Sequence, residues 1–184
     1  MSDLISTIKA TTKRTTLPSA LALTLLAAPL AATAYAAGDE DETPTCRKGL
    51  VWDKRKQMCV PADAGLIDDE SLASYAYALA KQERFQEALD VLDLAQDQNN
   101  AKILNYRGYA TRNLGRVDEG IRYYKQALAL DPENVLVRNY LGQAYVKKGE
   151  LAKARVLLDE IGQRCGTSCK EYVDLSAAIE GGAG

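Results

Sequence analysis

The stretch AKILNYRGYATRNLGRVDEGIRYYKQALALDPEN, Ala101 to Asn134, decides the fold. It places a large residue at Leu104, a small one at Gly108, a turn at Gly115 and an aromatic at Tyr124. A small residue at Ala127 and a helix stop at Asp131-Pro132 follow. The same marks recur on both sides. Ala76, Gly108 and Gly142 lie 32 and then 34 residues apart. Ala88, Gly120 and Ala154 keep that spacing, as do Ala95, Ala127 and Ile161, and the bulky Leu92, Tyr124 and Leu158. Gly115 and Gly149 add a 34-residue step of their own. Small residues recur where two helices approach closely, and bulky ones where the gap must be filled. A period in this range marks a stacked array of helical hairpins.

Outward from that stretch, hydrophobic periodicity predicts three helix pairs. The first covers about 70–82 and 85–96, with Asp68 or Asp69 as its cap. The second covers 102–113 and 117–130, broken at Leu114-Gly115-Arg116, and the third 135–148 and 151–163, broken at Gly149. A seventh helix, from Cys169 to Ile179, begins with Ser168 and Glu171 in capping-box spacing. Its apolar side is Tyr172, Leu175 and Ile179, which suits a cap over the open face of the last repeat.

These residues resemble the tetratricopeptide repeat (TPR) family. The middle repeat, 101–134, matches through Leu104, Gly108, Gly115, Tyr124, Ala127 and Pro132. The third, 135–168, supplies Leu141, Gly142, Tyr145, Gly149, Ala154 and Leu158. The first, 69–100, supplies Leu72, Tyr75, Ala76, Leu79, Ala88, Leu92 and Ala95. Arg107, Thr111, Gly120 and Arg138 depart from the family's usual leucine, tyrosine, alanine and bulky apolar residue. The resemblance implies an all-α solenoid of three repeats, 69–168, closed by a cap helix at 169–180 and a short flexible tail at 181–184.

Ahead of the repeats the chain changes character. Residues 1–36 read as an export signal: Lys9, Lys13 and Arg14 head an apolar run, Leu17 to Ala34, that ends in Ala34-Tyr35-Ala36. Pro18 and Pro29 break that run below the roughly 20 residues a membrane span needs, so no span is expected after cleavage. Residues 37–45 are acidic, through Asp39-Glu40-Asp41-Glu42, and are expected to be disordered. Residues 46–60 read as a separate two-stranded hairpin, joined to the repeats by a linker at 61–68. A two-stranded hairpin is barely stable alone, and a Cys46–Cys59 bridge would staple it. Cys165 and Cys169 flank the join of the last repeat and the cap. Four cysteines allow three pairings; in an oxidising destination neighbour pairing, 46–59 and 165–169, is favoured by proximity and by the separation of the two units. Zinc is disfavoured by spacings of twelve and three intervening residues. Trp52 reads as the apolar side of the hairpin, with Lys54, Arg55 and Lys56 as a rival contact surface.

Composition narrows the function. The chain has no histidine, which removes the commonest general base and zinc ligand. No nucleophile turn, phosphate-cradling glycine loop or facing acid pair is evident, so no enzyme activity, cofactor or small-molecule substrate is expected. A net charge of −2 without a basic run argues against nucleic acid. The family turns one face of each first helix toward an inner groove. By that register Tyr77, Lys81, Asn105, Tyr109, Arg112, Asn113, Asn139, Gln143 and Lys147 line it. Amides, cations and aromatics on such a wall suit a peptide or protein partner. Some family members grip a peptide's terminal carboxylate; the corresponding positions here hold Ala73, Tyr77, Tyr106, Leu136 and Tyr140, none a cation or amide. The expectation is a non-catalytic exported scaffold, most simply in the periplasm of a Gram-negative bacterium. The alternatives are a thiol-disulfide accessory protein using Cys165 and Cys169, or a self-assembling envelope component.

Overall fold

The computed structural model describes residues 43–62 and 67–182. Residues 1–36, expected as an export signal, most of the acidic segment, linker residues 63–66 and the last two residues of the tail lie outside the described residues.

A short antiparallel hairpin comes first: β1 (Leu50–Asp53) and β2 (Met58–Pro61), with Trp52 opposite Cys59 and Asp53 opposite Met58. Seven helices follow: α1 (Asp69–Lys81), α2 (Phe85–Leu92), α3 (Ala101–Asn113), α4 (Val117–Leu130), α5 (Val135–Lys147), α6 (Leu151–Cys165) and α7 (Lys170–Gly181). They form three hairpins and a cap.

Each pair is bounded by the same two devices. The first helices start at Asp68, Asn100 and Asn134, whose side chains accept N–H groups of Ser71, of Lys102 and Ile103, and of Val137. That satisfies donors a helix start leaves unpaired. Each second helix follows a residue of positive φ: Glu83 at 61°, Gly115 at 87° and Gly149 at 75°. Glycine suits that backbone and glutamate does not, yet Glu83 holds the same repeat position.

Two boundaries differ from the sequence expectation. Helix α2 stops at Leu92, not Gln96. The Asp69 carboxylate draws the N–H groups of Gln96 and Asp97 toward α1, at 2.8 Å each. The Gln98 amide meanwhile donates to the carbonyls of Leu92 and Ala95. Helix α7 starts at Lys170 with Cys169 as its N-cap and no side-chain capping bond, so the Ser168–Glu171 box does not form.

The core is filled according to the small and large pattern. Gly108 lies beneath Tyr124: a Cβ there would meet the ring at 2.8 Å. Gly120 lies against the α3 backbone, where a Cβ would stand 2.9 Å from the Gly108 carbonyl oxygen. Gly142 receives Leu175 of α7, and Leu175 is fully buried together with Tyr124 and Ile161. The cap helix therefore plugs the last repeat with an apolar wedge.

The hairpin is not a separate unit. Val51 is fully buried in one apolar cluster with Leu72, Tyr75, Leu79 and Leu92 of the first repeat. The Tyr75 hydroxyl accepts the Cys46 N–H at 2.9 Å and donates to the Leu50 carbonyl at 3.3 Å. Arg84, paired with Glu87, donates to the Cys46 carbonyl at 3.2 Å. The reason is the one that demands α7 at the other end: a terminal repeat leaves its face in water unless something covers it. The bridge Cys46–Cys59 closes the hairpin, and Cys165–Cys169 ties α6 to α7.

Candidate functional site

The first helices α1, α3 and α5 turn one face inward, and that face is a wall of tyrosines. Tyr77 of α1 stacks on Tyr106 of α3, ring centres 4.7 Å apart and nearly parallel. Tyr109 meets Tyr77 edge-on at 5.8 Å and tilts against Tyr140 of α5 at 5.1 Å. The hydroxyls of Tyr77 and Tyr140 share a hydrogen bond of 3.2 Å across 63 residues of sequence. Repeats one and three therefore touch over the inner face of repeat two.

Arg112 locks this wall from behind. Its guanidinium donates to the Tyr140 carbonyl at 3.1 Å and to the Gln143 amide oxygen at 3.2 Å. It lies 5.5 Å above Tyr109 and 5.8 Å from the Tyr140 ring, a cation over aromatic faces. Gln143 in turn donates to Asn139 at 2.9 Å. Burial raises the pKa of Tyr109, and that of Tyr140 further, above the ordinary tyrosine value, so both hydroxyls stay neutral at physiological pH.

The residues expected to line the groove thus divide. Asn105, Arg112 and Asn139 are buried, at 3%, 6% and 1% exposure; Arg112 ties α3 to α5, Asn139 accepts from Gln143 within α5, and the Asn105 Oδ1 has no partner among the described residues. Asn113 folds back to donate to the Tyr109 carbonyl at 2.9 Å. Tyr77, Tyr109 and Gln143 are half-buried, and Lys81 and Lys147 are exposed. Lys81 stands 5.3 Å over the Tyr77 ring.

Two cavities open on this face. One, of about 290 Å³, is lined by Thr43, Ser74, Tyr77, Ala78, Lys81, Lys102 and Tyr106. The other, of about 420 Å³, lies between the starts of α3 and α5, with Asn105, Tyr106, Asn134 and Leu136 in its wall. Lys102 and Tyr106 border both. Lys102 pairs with Glu70 and reaches Ser74. Neither Lys102 nor Ser74 was among the expected groove residues. The signal was present for the aromatics: Tyr106 and Tyr140 are 34 residues apart and Tyr77 and Tyr109 are 32 apart, two tyrosine stripes in the repeat's own period.

The Cys165–Cys169 bridge sits at the surface, and the Glu171 carboxylate lies within 4.8 Å of its sulfurs. An adjacent carboxylate disfavours a thiolate.

A stacked array of helical hairpins, with tyrosines lining its first helices, is an α-solenoid. Residues 114–179 match the family model described as tetratricopeptide repeat. The match falls on the second half of the array, whose fold is that of stacked tetratricopeptide-like hairpins. No curated protein matches it in sequence. Among solved structures, it resembles the Yersinia enterocolitica type III secretion chaperone SycD in complex with a peptide of the translocator YopD. That match has 21% identity and a TM-score of 0.51, over 61% of this chain and 87% of that one. The second TPR domain of human RPAP3, in complex with the HSP70 peptide SGPTIEEVD, is similar at 19% identity and a TM-score of 0.51, over 61% of this chain and 98% of that one. A further structure of SycD matches at 19% identity and a TM-score of 0.52, over 62% and 82%.

Proposed function

We propose that this protein is an exported, non-catalytic scaffold that holds a peptide segment of a partner protein on the tyrosine wall of α1, α3 and α5. The observation that carries the reading is the pair of cavities meeting at Lys102 and Tyr106. Stacked tyrosines offer flat apolar area at low conformational cost, and their hydroxyls can bond a peptide backbone. The two similar structures with bound peptides, of a secretion chaperone and of RPAP3, support the same use of the fold. Export to an oxidising compartment, the periplasm in the simplest case, is supported by two bridges and by the signal-like residues 1–36. Among the described residues no helix is long and apolar enough to cross a membrane.

A photo-crosslinking residue placed at Ser74 or Leu136 in intact cells tests this. A defined protein partner should be captured from these inner positions and not from Val156, exposed on α6. Capture from both faces alike would reject the groove. The thiol-disulfide reading is weakened by Glu171, which opposes the thiolate that such chemistry needs.

A further inference from the structure

The described chain enters at the edge of the smaller cavity. Thr43 forms part of its wall beside Lys81 and Lys102. The path from there is fixed. The Thr45 hydroxyl donates to Gln82 at 3.1 Å, and the backbone of Cys46 is held by Tyr75 and Arg84. Thr43 to Thr45, expected to be disordered, are thus laid along the end of α1.

The residues immediately before Thr43 are Glu40, Asp41 and Glu42. Covalent geometry limits how far they can stray. At no more than about 3.6 Å per residue, all three lie within about 11 Å of Thr43. That is between one and two screening lengths at physiological salt, where the length is about 8 Å. Three carboxylates are thereby tethered near a cavity whose rim carries Lys81 and Lys102, the second shared with Glu70, and whose walls are Tyr77 and Tyr106. A tethered group competes at an effective concentration in the millimolar range, because joining it costs no second encounter.

We propose that Glu40-Asp41-Glu42 is an internal occupant of this site. The acidic segment docks on the Lys81 and Lys102 rim and competes with whatever peptide the tyrosine wall takes. The competition rests on the peptide-binding reading; the docking does not.

Zero-length carbodiimide coupling of the isolated protein, followed by peptide mapping, tests the docking directly. Amide links from residues 40–42 to Lys81 or Lys102 are expected. They should disappear in the Glu40→Gln, Asp41→Asn, Glu42→Gln variant, whose changes lie outside the helical array, and should fall steeply in 0.5 M salt, where the screening length shrinks to a few ångströms. Links only to Lys48, Lys54 or Lys56, or none from residues 40–42, would overturn the proposal. So would links that join isotopically light and heavy molecules when the two are mixed, since the occupant would then belong to a second copy. Titration with a synthetic peptide of residues 38–45 adds the second arm. The neutralised variant should bind it and the parent should not. Cross-links without peptide binding would leave the docking standing and remove the competition; binding equal in the two proteins would reject an internal competitor.

Discussion

Gly120→Ala opposes two rules at one atom. Alanine inside a helix is ordinarily favoured over glycine by roughly 0.5–1 kcal/mol. At this position the added Cβ would stand 2.9 Å from the Gly108 carbonyl oxygen, 3.0 Å from the Arg112 Cβ and 3.3 Å from the Arg112 nitrogen. These are backbone or near-backbone atoms of α3, so no flexible side chain can swing aside. The helices must separate, and overpacking of this kind costs about 1–3 kcal/mol. The expected net is a loss of roughly 0.5–2 kcal/mol, or about 2–8 °C in melting temperature for a domain of this size. Gly181→Ala is the matched control: nothing lies within 4 Å of its Cβ, so the same substitution should leave stability unchanged or raise it by up to about 1 kcal/mol. Thermal melts followed by circular dichroism decide. If Gly120→Ala melted at or above the parent, the close approach of α3 and α4 would not be the constraint argued here. The shift has a functional counterpart, because two of the three atoms crowded belong to Arg112, which locks Tyr109 and Tyr140.

Glu83→Gly should stabilise the array by about 0.5–1 kcal/mol, because Glu83 occupies a positive-φ turn that glycine fills in the other two repeats; an unchanged or lower denaturation midpoint would contradict it. Arg112→Ala should lower the melting temperature, since it strips a buried lock between α3 and α5; a variant that melts like the parent would return Arg112 to the binding surface. Replacing Cys46 and Cys59 by serine removes a closed loop of about 14 residues and on the order of 3 kcal/mol, more than the same change at Cys165 and Cys169, with chemical denaturation as the measure. The Asp53 carboxyl accepts N–H groups of Lys56 and Arg55 and pairs with Lys56. Those bonds, the one from the Lys56 backbone foremost, hold its pKa below the ordinary value of 3.8. Its contribution is therefore fully present above that value and lost as pH falls through the lower folded one. Fluorescence of Trp52, the chain's single tryptophan, should report the hairpin loosening in that acid range, and Asp53→Asn should flatten the response.

The repeats were legible because their signal is redundant. Small residues at 76, 108 and 142 and bulky ones at 92, 124 and 158 recur in one period; the structure sets Gly108 beneath Tyr124, while Gly142 receives Leu175 of the cap. Glu83 shows the limit of reading motifs by residue type. Only position in the repeat, not chemistry, marks it as a turn residue of positive φ. The hairpin's docking was hidden for a different reason. Tyr75 and Arg84 meet Cys46 across 29 and 38 residues, and no local pattern encodes such a contact.

Curvature decides which of the expected groove residues stay exposed. Repeat register says which way a side chain points, and Arg112 and Asn139 do point inward. It does not say how tightly successive repeats close. Here Tyr77 and Tyr140 meet across the middle repeat, so inward positions at the level of Arg112 are buried by neighbours instead of offered to a partner. The surface proposed for binding therefore lies at the two cavities, by Ser74, Lys102, Tyr106 and Leu136. The tyrosines themselves cause this: four large rings at the same level fill a space that smaller residues would leave to a ligand. Tyr140→Phe separates the two roles. It keeps the rings and deletes the hydroxyl bond to Tyr77, worth about 1 kcal/mol. It should lower stability by about that amount while peptide capture at the cavities persists. Capture lost together with the hydroxyl would mean that the ligand itself bonds the Tyr140 hydroxyl, and that the wall opens to admit it.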